Sequence, residues 1–250
     1  MKQADTLYTL VTQSPQGSQF GQAYGWDLGL DVCTWRGVTC DDGVSVTKLD
    51  LTGAGYEGTI PMEFENLVVL KELVLANNRF AGLVPVKVAQ LPALEVFNVG
   101  NNTLMGPLPS FDKNKSPGLQ KIILQHNKFT HHLSPEWVSN LPSSLTELDL
   151  SENELYGSLP PEIIQLTELN TLDLSVNEFY GTIPEQLANL YKLRYLYLNV
   201  NHFVGTIPRT MASADKLYEE VWLQNNWLSG TIPPDFAEMP NLLDFYVDGK

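Results

Sequence analysis

Basic residues are scarce in this chain: 15 Lys and Arg stand against 29 Asp and Glu, a formal net charge of −14 over 250 residues. So acidic a surface repels phosphate backbones and anionic lipid, which excludes nucleic acid as a partner and favours a cationic or neutral polar one. Long apolar runs are missing too. None approaches the roughly 18 residues that a membrane span needs, so contact with a membrane would have to come through a segment absent from this chain. The opening MKQADTLYTLVTQSPQG has no continuous apolar stretch of the kind a signal peptide carries. Either this is a segment of a longer protein or the chain is intracellular, and the two cysteines bear on that choice. No Gly-rich phosphate loop follows a strand, and no Gly-x-Ser-x-Gly elbow is present. Apolar residues make up 43% and charged residues 18%, ample for a core in one large domain or two small ones.

A repeat is what the chain does have. Alternating apolar pairs end at Leu51, Leu75, Val99, Leu124, Leu150, Leu174, Leu198, Leu223 and Val247, with spacings of 24, 24, 25, 26, 24, 24, 25 and 24. Three residues after most of these comes Asn78, Asn102, Asn127, Asn153, Asn177, Asn201 or Asn226, and the first unit departs with Ala54. Then follows GTIP or a variant, beginning at Gly58, Gly82, Gly106, Gly157, Gly181, Gly205 and Gly230. Alternation points Leu172 and Leu174 to one side and Asp173 and Ser175 to the other. An Asn recurring at one buried bend can donate to and accept from the backbone of neighbouring coils, each bond worth about 1 kcal/mol net. The Gly permits a tight turn and the Pro sets φ for a short helical return. On that return Pro61, Phe64, Leu67 and Leu70 form a second apolar row. No unit can bury its own face, so stability comes from stacking neighbours.

The pattern resembles the plant-type leucine-rich repeat, LxxLxLxxNxLxGxIPxxLxxL, over residues 44–250, as eight full units and a truncated ninth. The resemblance implies an α/β solenoid: a right-handed superhelix with a parallel sheet on its inner face and short helical or 3-10 segments on the convex side. Ahead of the repeats, Trp26 and then Cys33-Thr-Trp35-Arg-Gly37-Val38-Thr-Cys40 are similar to the N-terminal cap of plant extracellular members, here residues 1–43. The cap implies a Cys33–Cys40 disulfide, worth roughly 2–3 kcal/mol by loop closure, and with it an extracellular or cell-surface location. The competing reading is two buried free thiols. The last residues, Asp248-Gly249-Lys250, fall in the ninth strand with no second cysteine pair, so the solenoid end is expected to belong to a fragment or to need a cap from elsewhere. Asn101-Asn-Thr103 and Asn114-Lys-Ser116 are sequons.

Four histidines, His126, His131, His132 and His202, have no Cys or Glu at a ligand spacing. Three lie in the irregular fourth unit, where His131 stands at the turn glycine and a loop insertion is expected; neither metal nor cofactor is expected. Asp149 and Asp173 take the same inner-face position in adjacent units, about 5 Å apart. That separation suits a retaining glycosidase, and the proximity would raise one pKa. Both, however, sit in Leu-Asp-Leu-Ser, the ordinary strand text of the repeat, and a gently curved sheet offers no cleft. The reading is therefore not an enzyme.

What remains is a surface. The last three units place Tyr195, Tyr197, Trp222 and Tyr246 on the inner face, flanked by Asp149, Asp173, Glu220 and Asp244. Tyr156 and Tyr180, just after the Asn turn, would extend the patch along one lateral edge. Aromatic rings beside carboxylates are the usual content of a protein-binding hot spot, and the mixture also suits sugar. The expectation is a non-enzymatic recognition module, the ligand-binding region of a receptor-like protein, taking a protein or peptide of basic character, or a glycan. The alternative that the resemblance carries is a secreted inhibitor of a carbohydrate-active enzyme, similar to polygalacturonase-inhibiting proteins.

Overall fold

The computed structural model describes residues 3–13, 17–41, 43–212 and 217–248; Gly249 and Lys250, with which the sequence closes, lie outside them. The chain forms two units, Met1–Lys128 and Phe129–Lys250.

In the first unit, α1 (Gln3–Gln13) turns Leu7, Leu10 and Val11 inward at helical spacing. It packs with α2 (Gly17–Tyr24) against the aromatic core of the cap. There Trp26 stacks on Trp35 at 5.1 Å, and Phe20 meets Tyr56 of the first repeat edge-on at 5.3 Å. The buried indoles keep their donors paired: Trp26 Nε1 donates to the Arg36 carbonyl and Trp35 Nε1 to that of Asp27. Cys33 and Cys40 are joined in a disulfide rather than left as thiols. Gly37 permits the close approach that starts the sheet. Its φ is +82°, its carbonyl accepts from Asp50 N at 2.7 Å, and a Cβ there would lie 2.3 Å from the Asp50 carbonyl oxygen.

Strand Val38–Asp41 pairs antiparallel with Ser45–Asp50, after which the inner sheet is parallel. Leu49, Leu73, Phe97 and Ile122 stand in one register across it, all buried. The second unit repeats the arrangement: Leu148, Leu172, Leu196 and Val221 are aligned and buried, and Phe245 of strand Asp244–Tyr246 continues the row. The short returns on the other side begin after a proline, as at Met62–Asn66 and Glu185–Asn189, and Phe64, Leu67 and Leu70 are fully buried as the spacing requires. These are stacked coils of a leucine-rich repeat solenoid.

The asparagines act as the sequence predicts. Asn177 Nδ2 donates to the Leu150 carbonyl of the preceding coil at 3.0 Å, while its Oδ1 accepts from Leu155 N at 3.0 Å. Asn201 does the same with Leu174 and Phe179, and in the first unit Asn102 with Leu75 and Phe80. Each buried amide thus bonds two backbone groups of the preceding coil.

A second parallel sheet runs through the segments between the Asn and the Gly. After Asn127 its strands are Lys128–His132, Glu154–Gly157, Glu178–Thr182, His202–Gly205 and Trp227–Leu228. The sequence pattern predicts only a turn in this region. His131 and His132 consequently belong to a strand, not to a loop insertion; His131 does occupy the glycine position, with φ +83°.

Candidate functional site

The eight residues singled out as a surface fall in two adjoining rows of the second unit's inner sheet. Asp149, Asp173, Tyr197, Trp222 and Tyr246 are successive register partners. Beside them run Glu147, Thr171, Tyr195, Glu220 and Asp244. Period-2 alternation puts both rows on the face opposite the buried leucines. Unlike the leucines, these side chains retain exposure, Tyr246 most of the aromatics at 49%.

The aromatic half is interlocked. Tyr197 meets Trp222 edge-to-face at 4.9 Å, and Trp222 meets Tyr246 at 5.5 Å and 88°. Such contacts add about 0.5–1.5 kcal/mol each and hold the rings in one geometry. Tyr197 Oη donates to Glu220 Oε2 at 2.8 Å, and Tyr195 Oη to Glu219 Oε2 at 2.6 Å. Glu219, which the sequence reading did not single out, is also ion-paired with Arg194. The Tyr197 phenol is held well above its usual range, by burial first and by the Glu220 bond second. That of Tyr195 is raised chiefly by its bond to Glu219. Both phenols are therefore neutral donors at any physiological pH. Trp222 Nε1, Asn199 Oδ1 and Gln224 Oε1 are buried on this stretch without a hydrogen-bond partner among the described residues.

The acidic half is held locally. Asp149 Oδ1 accepts from Ser151 N and Oγ at 3.0 and 2.7 Å, and Asp173 Oδ1 from Ser175 N and Oγ at 2.9 and 2.6 Å. Burial raises the Asp149 carboxyl and pushes that of Asp173 up to about 6, with the neighbouring Asp149 charge a smaller cause. Neither aspartate has an ion pair among the described residues. Residues 129–250 hold 17 of the 29 acids but five of the 15 basic residues, which places −12 of the net −14 in this unit. No Lys or Arg occurs between Lys128 and Lys192. The three basic residues described in the unit, Lys192, Arg194 and Arg209, are paired with Glu168, Glu219 and Asp235.

Tyr156 and Tyr180 lie on the second sheet, opposite Glu178 and His202, and not on the inner one. Trp227, which the sequence reading passed over, is the most exposed tryptophan at 63% and stacks on His202 at 4.7 Å. At the bend between the sheets, Val176 and Val200 take φ of +54° and +56°, where other repeats place Asn77, Asn101, His126, Glu152 and Asn225. A β-branched residue there is strained. Among the described residues no group of three or more His, Cys, Asp or Glu is placed to hold a metal ion, and no helix is long and apolar enough to cross a membrane.

Comparison with known proteins agrees with this geometry. Models of the leucine rich repeat match residues 117–179, 143–203 and 219–239, and that of the leucine rich repeat N-terminal domain matches 3–41. The chain belongs to the leucine-rich repeat proteins and opens with a leucine-rich repeat N-terminal domain. It is 31% identical over 175 residues to receptor-like protein kinase BRI1-like 3 of Arabidopsis thaliana, covering 60% of this chain and 15% of that protein. It is 31% identical over 167 residues to the Arabidopsis thaliana receptor protein-tyrosine kinase CEPR1, covering 62% and 16%. The chain thus spans about a sixth of the length of these curated relatives. Among solved structures it is similar to the Arabidopsis HAESA leucine-rich repeat ectodomain in complex with an extended IDA peptide hormone (25% identity, TM-score 0.85, 98% of this chain and 40% of that one). It is also similar to the GASSHO1/SCHENGEN3 ectodomain of Arabidopsis thaliana in complex with CASPARIAN STRIP INTEGRITY FACTOR 2 (27%, TM-score 0.70, 96% and 34%).

Proposed function

We propose that the chain is a non-enzymatic peptide- or protein-recognition module that works outside the cell, with the inner face of residues 129–250 as its ligand surface. The observation that carries this is the register row in which Tyr197, Trp222 and Tyr246 interlock beside two unpaired aspartates. Rigid aromatic rings bury much area on contact at little entropic cost, and a ligand that covers them desolvates the neighbouring carboxylates as well. The disulfide-closed cap and the similarity to receptor ectodomains, that of HAESA seen with a peptide hormone, support the extracellular, receptor-like setting.

The test is a selection of phage-displayed random peptides on the immobilised chain. Enriched clones should lose binding to a Tyr197→Ala/Trp222→Ala variant and, in part, to the milder Tyr246→Ala variant, with thermal unfolding checked for each. Clones that bind all three proteins equally would contradict the assignment of the face.

A further inference from the structure

We infer that the ligand of this face is an extended segment carrying a lysine or arginine and, four residues from it, an aromatic or large aliphatic residue, both side chains directed at the sheet. The inference rests on the recognition reading above and gives it a sequence.

Charge complementarity selects the cation. Asp149 and Asp173 are neighbours in one register row, and each has one carboxylate oxygen engaged by its own serine. That engagement orients the carboxylates and leaves Oδ2 of each as the remaining acceptor. Every basic side chain described in this unit is occupied by another acid, and among the described residues neither aspartate has an ion pair. An ammonium or guanidinium from a ligand would relieve two partly desolvated negative charges at once.

Geometry then sets the spacing. The same row continues through Tyr197 to Trp222 and Tyr246. Strands lie about 4.8 Å apart, so the centre of the Asp149–Asp173 pair is three strand spacings, about 14 Å, from the centre of the Trp222–Tyr246 pair. An extended peptide running across the strands advances about 3.3 Å per residue, so the two anchors fall four residues apart. An even separation is also what alternation demands, because residues i and i+4 of an extended chain point to the same side. An anionic segment would meet −12 of net charge on this unit, and a neutral one would leave the aspartates uncompensated.

The test is a double-mutant cycle on peptides enriched from the random library, with affinities measured by fluorescence polarisation. One arm replaces the basic residue of the peptide by norleucine or citrulline, and the other changes the protein to Asp149→Asn/Asp173→Asn. Each change alone should weaken binding about tenfold, and the two together little more than either, since both remove one interaction. Moving the apolar residue to a spacing of three or five should cost a similar factor. Patch-dependent peptides without a basic residue, or with additive effects in the cycle, would overturn the inference while the recognition face stood. Absence of any patch-dependent peptide would remove both.

Discussion

Changing Asp173 to Asn should make the protein more stable near neutral pH. The asparagine keeps the Oδ1 that accepts from Ser175 N and Oγ at 2.9 and 2.6 Å, and it removes a charge that burial opposes. The folded carboxyl is raised from 3.8 to about 6, so the folded state holds its proton more tightly than the unfolded chain does. Stability therefore falls as pH climbs from about 4 to about 6 and is level above that. At 1.36 kcal/mol for each pH unit, ionising the buried group costs about 3 kcal/mol. That figure is already net of the stronger bonds that the charged form makes to Ser175. The gain in the variant is therefore about 3 kcal/mol, or roughly 6–12 °C in Tm for a chain of this size. Differential scanning calorimetry at about pH 3 and about pH 8 reads it, because at the first the carboxyl is protonated in both the folded and the unfolded chain and at the second it is ionised in both. The Tm difference should be small at the lower pH and full at the higher. An equal difference at both, or a less stable variant at about pH 8, would refute the assignment of a burial penalty to Asp173.

Val176→Asn should stabilise by about 1 kcal/mol in urea unfolding, because Asn accepts the left-handed conformation that Val176 holds at φ +54°; no gain would show that the strain is absorbed elsewhere. Gly37→Ala should cost more than about 2 kcal/mol, since a Cβ there meets the Asp50 carbonyl oxygen at 2.3 Å in a φ that alanine disfavours. Asn177→Ala should cost about 1–3 kcal/mol by the same measurement, as it removes the side-chain acceptor of the buried Leu155 N–H and leaves the Leu150 carbonyl with Asn153 Nδ2 alone of its two amide donors.

Much of this fold is legible because the repeat states one physical problem many times. The spacing of Leu148, Leu172 and Leu196 marks the inner strands, and the Asn at each bend announces which backbone groups need a partner. The second sheet was hidden for a local reason. Its strands are two to five residues long, and their alternation around Phe179 and Phe203 ends at a glycine that reads equally well as a turn. Pairing partners lie 22 to 24 residues away, beyond any local pattern. In the candidate site, alternation assigned Tyr195, Tyr197, Trp222 and Tyr246 to one face, and the inner-strand register places them side by side. The bonds of Tyr195 to Glu219 and of Tyr197 to Glu220 were not legible, because they depend on rotamers that only packing selects. The strained valines carry a weaker sequence signal: Val176 and Val200 stand in a column that holds Asn77, Asn101, His126, Glu152 and Asn225 in the other repeats.

Fluorine NMR of the chain labelled with 5-fluorotryptophan would test most directly whether the inner face of residues 129–250 is where ligand sits. The protein has five tryptophans. Trp222 stands in the aromatic row, Trp227 on the second sheet, and Trp26 and Trp35 in the cap. Assigned by single Trp→Phe variants and titrated with a library-selected peptide, the Trp222 resonance should shift in proportion to occupancy while those of Trp26 and Trp35 stay fixed. A shift confined to Trp227, or to the cap, with Trp222 silent at saturation would contradict the inner-face site.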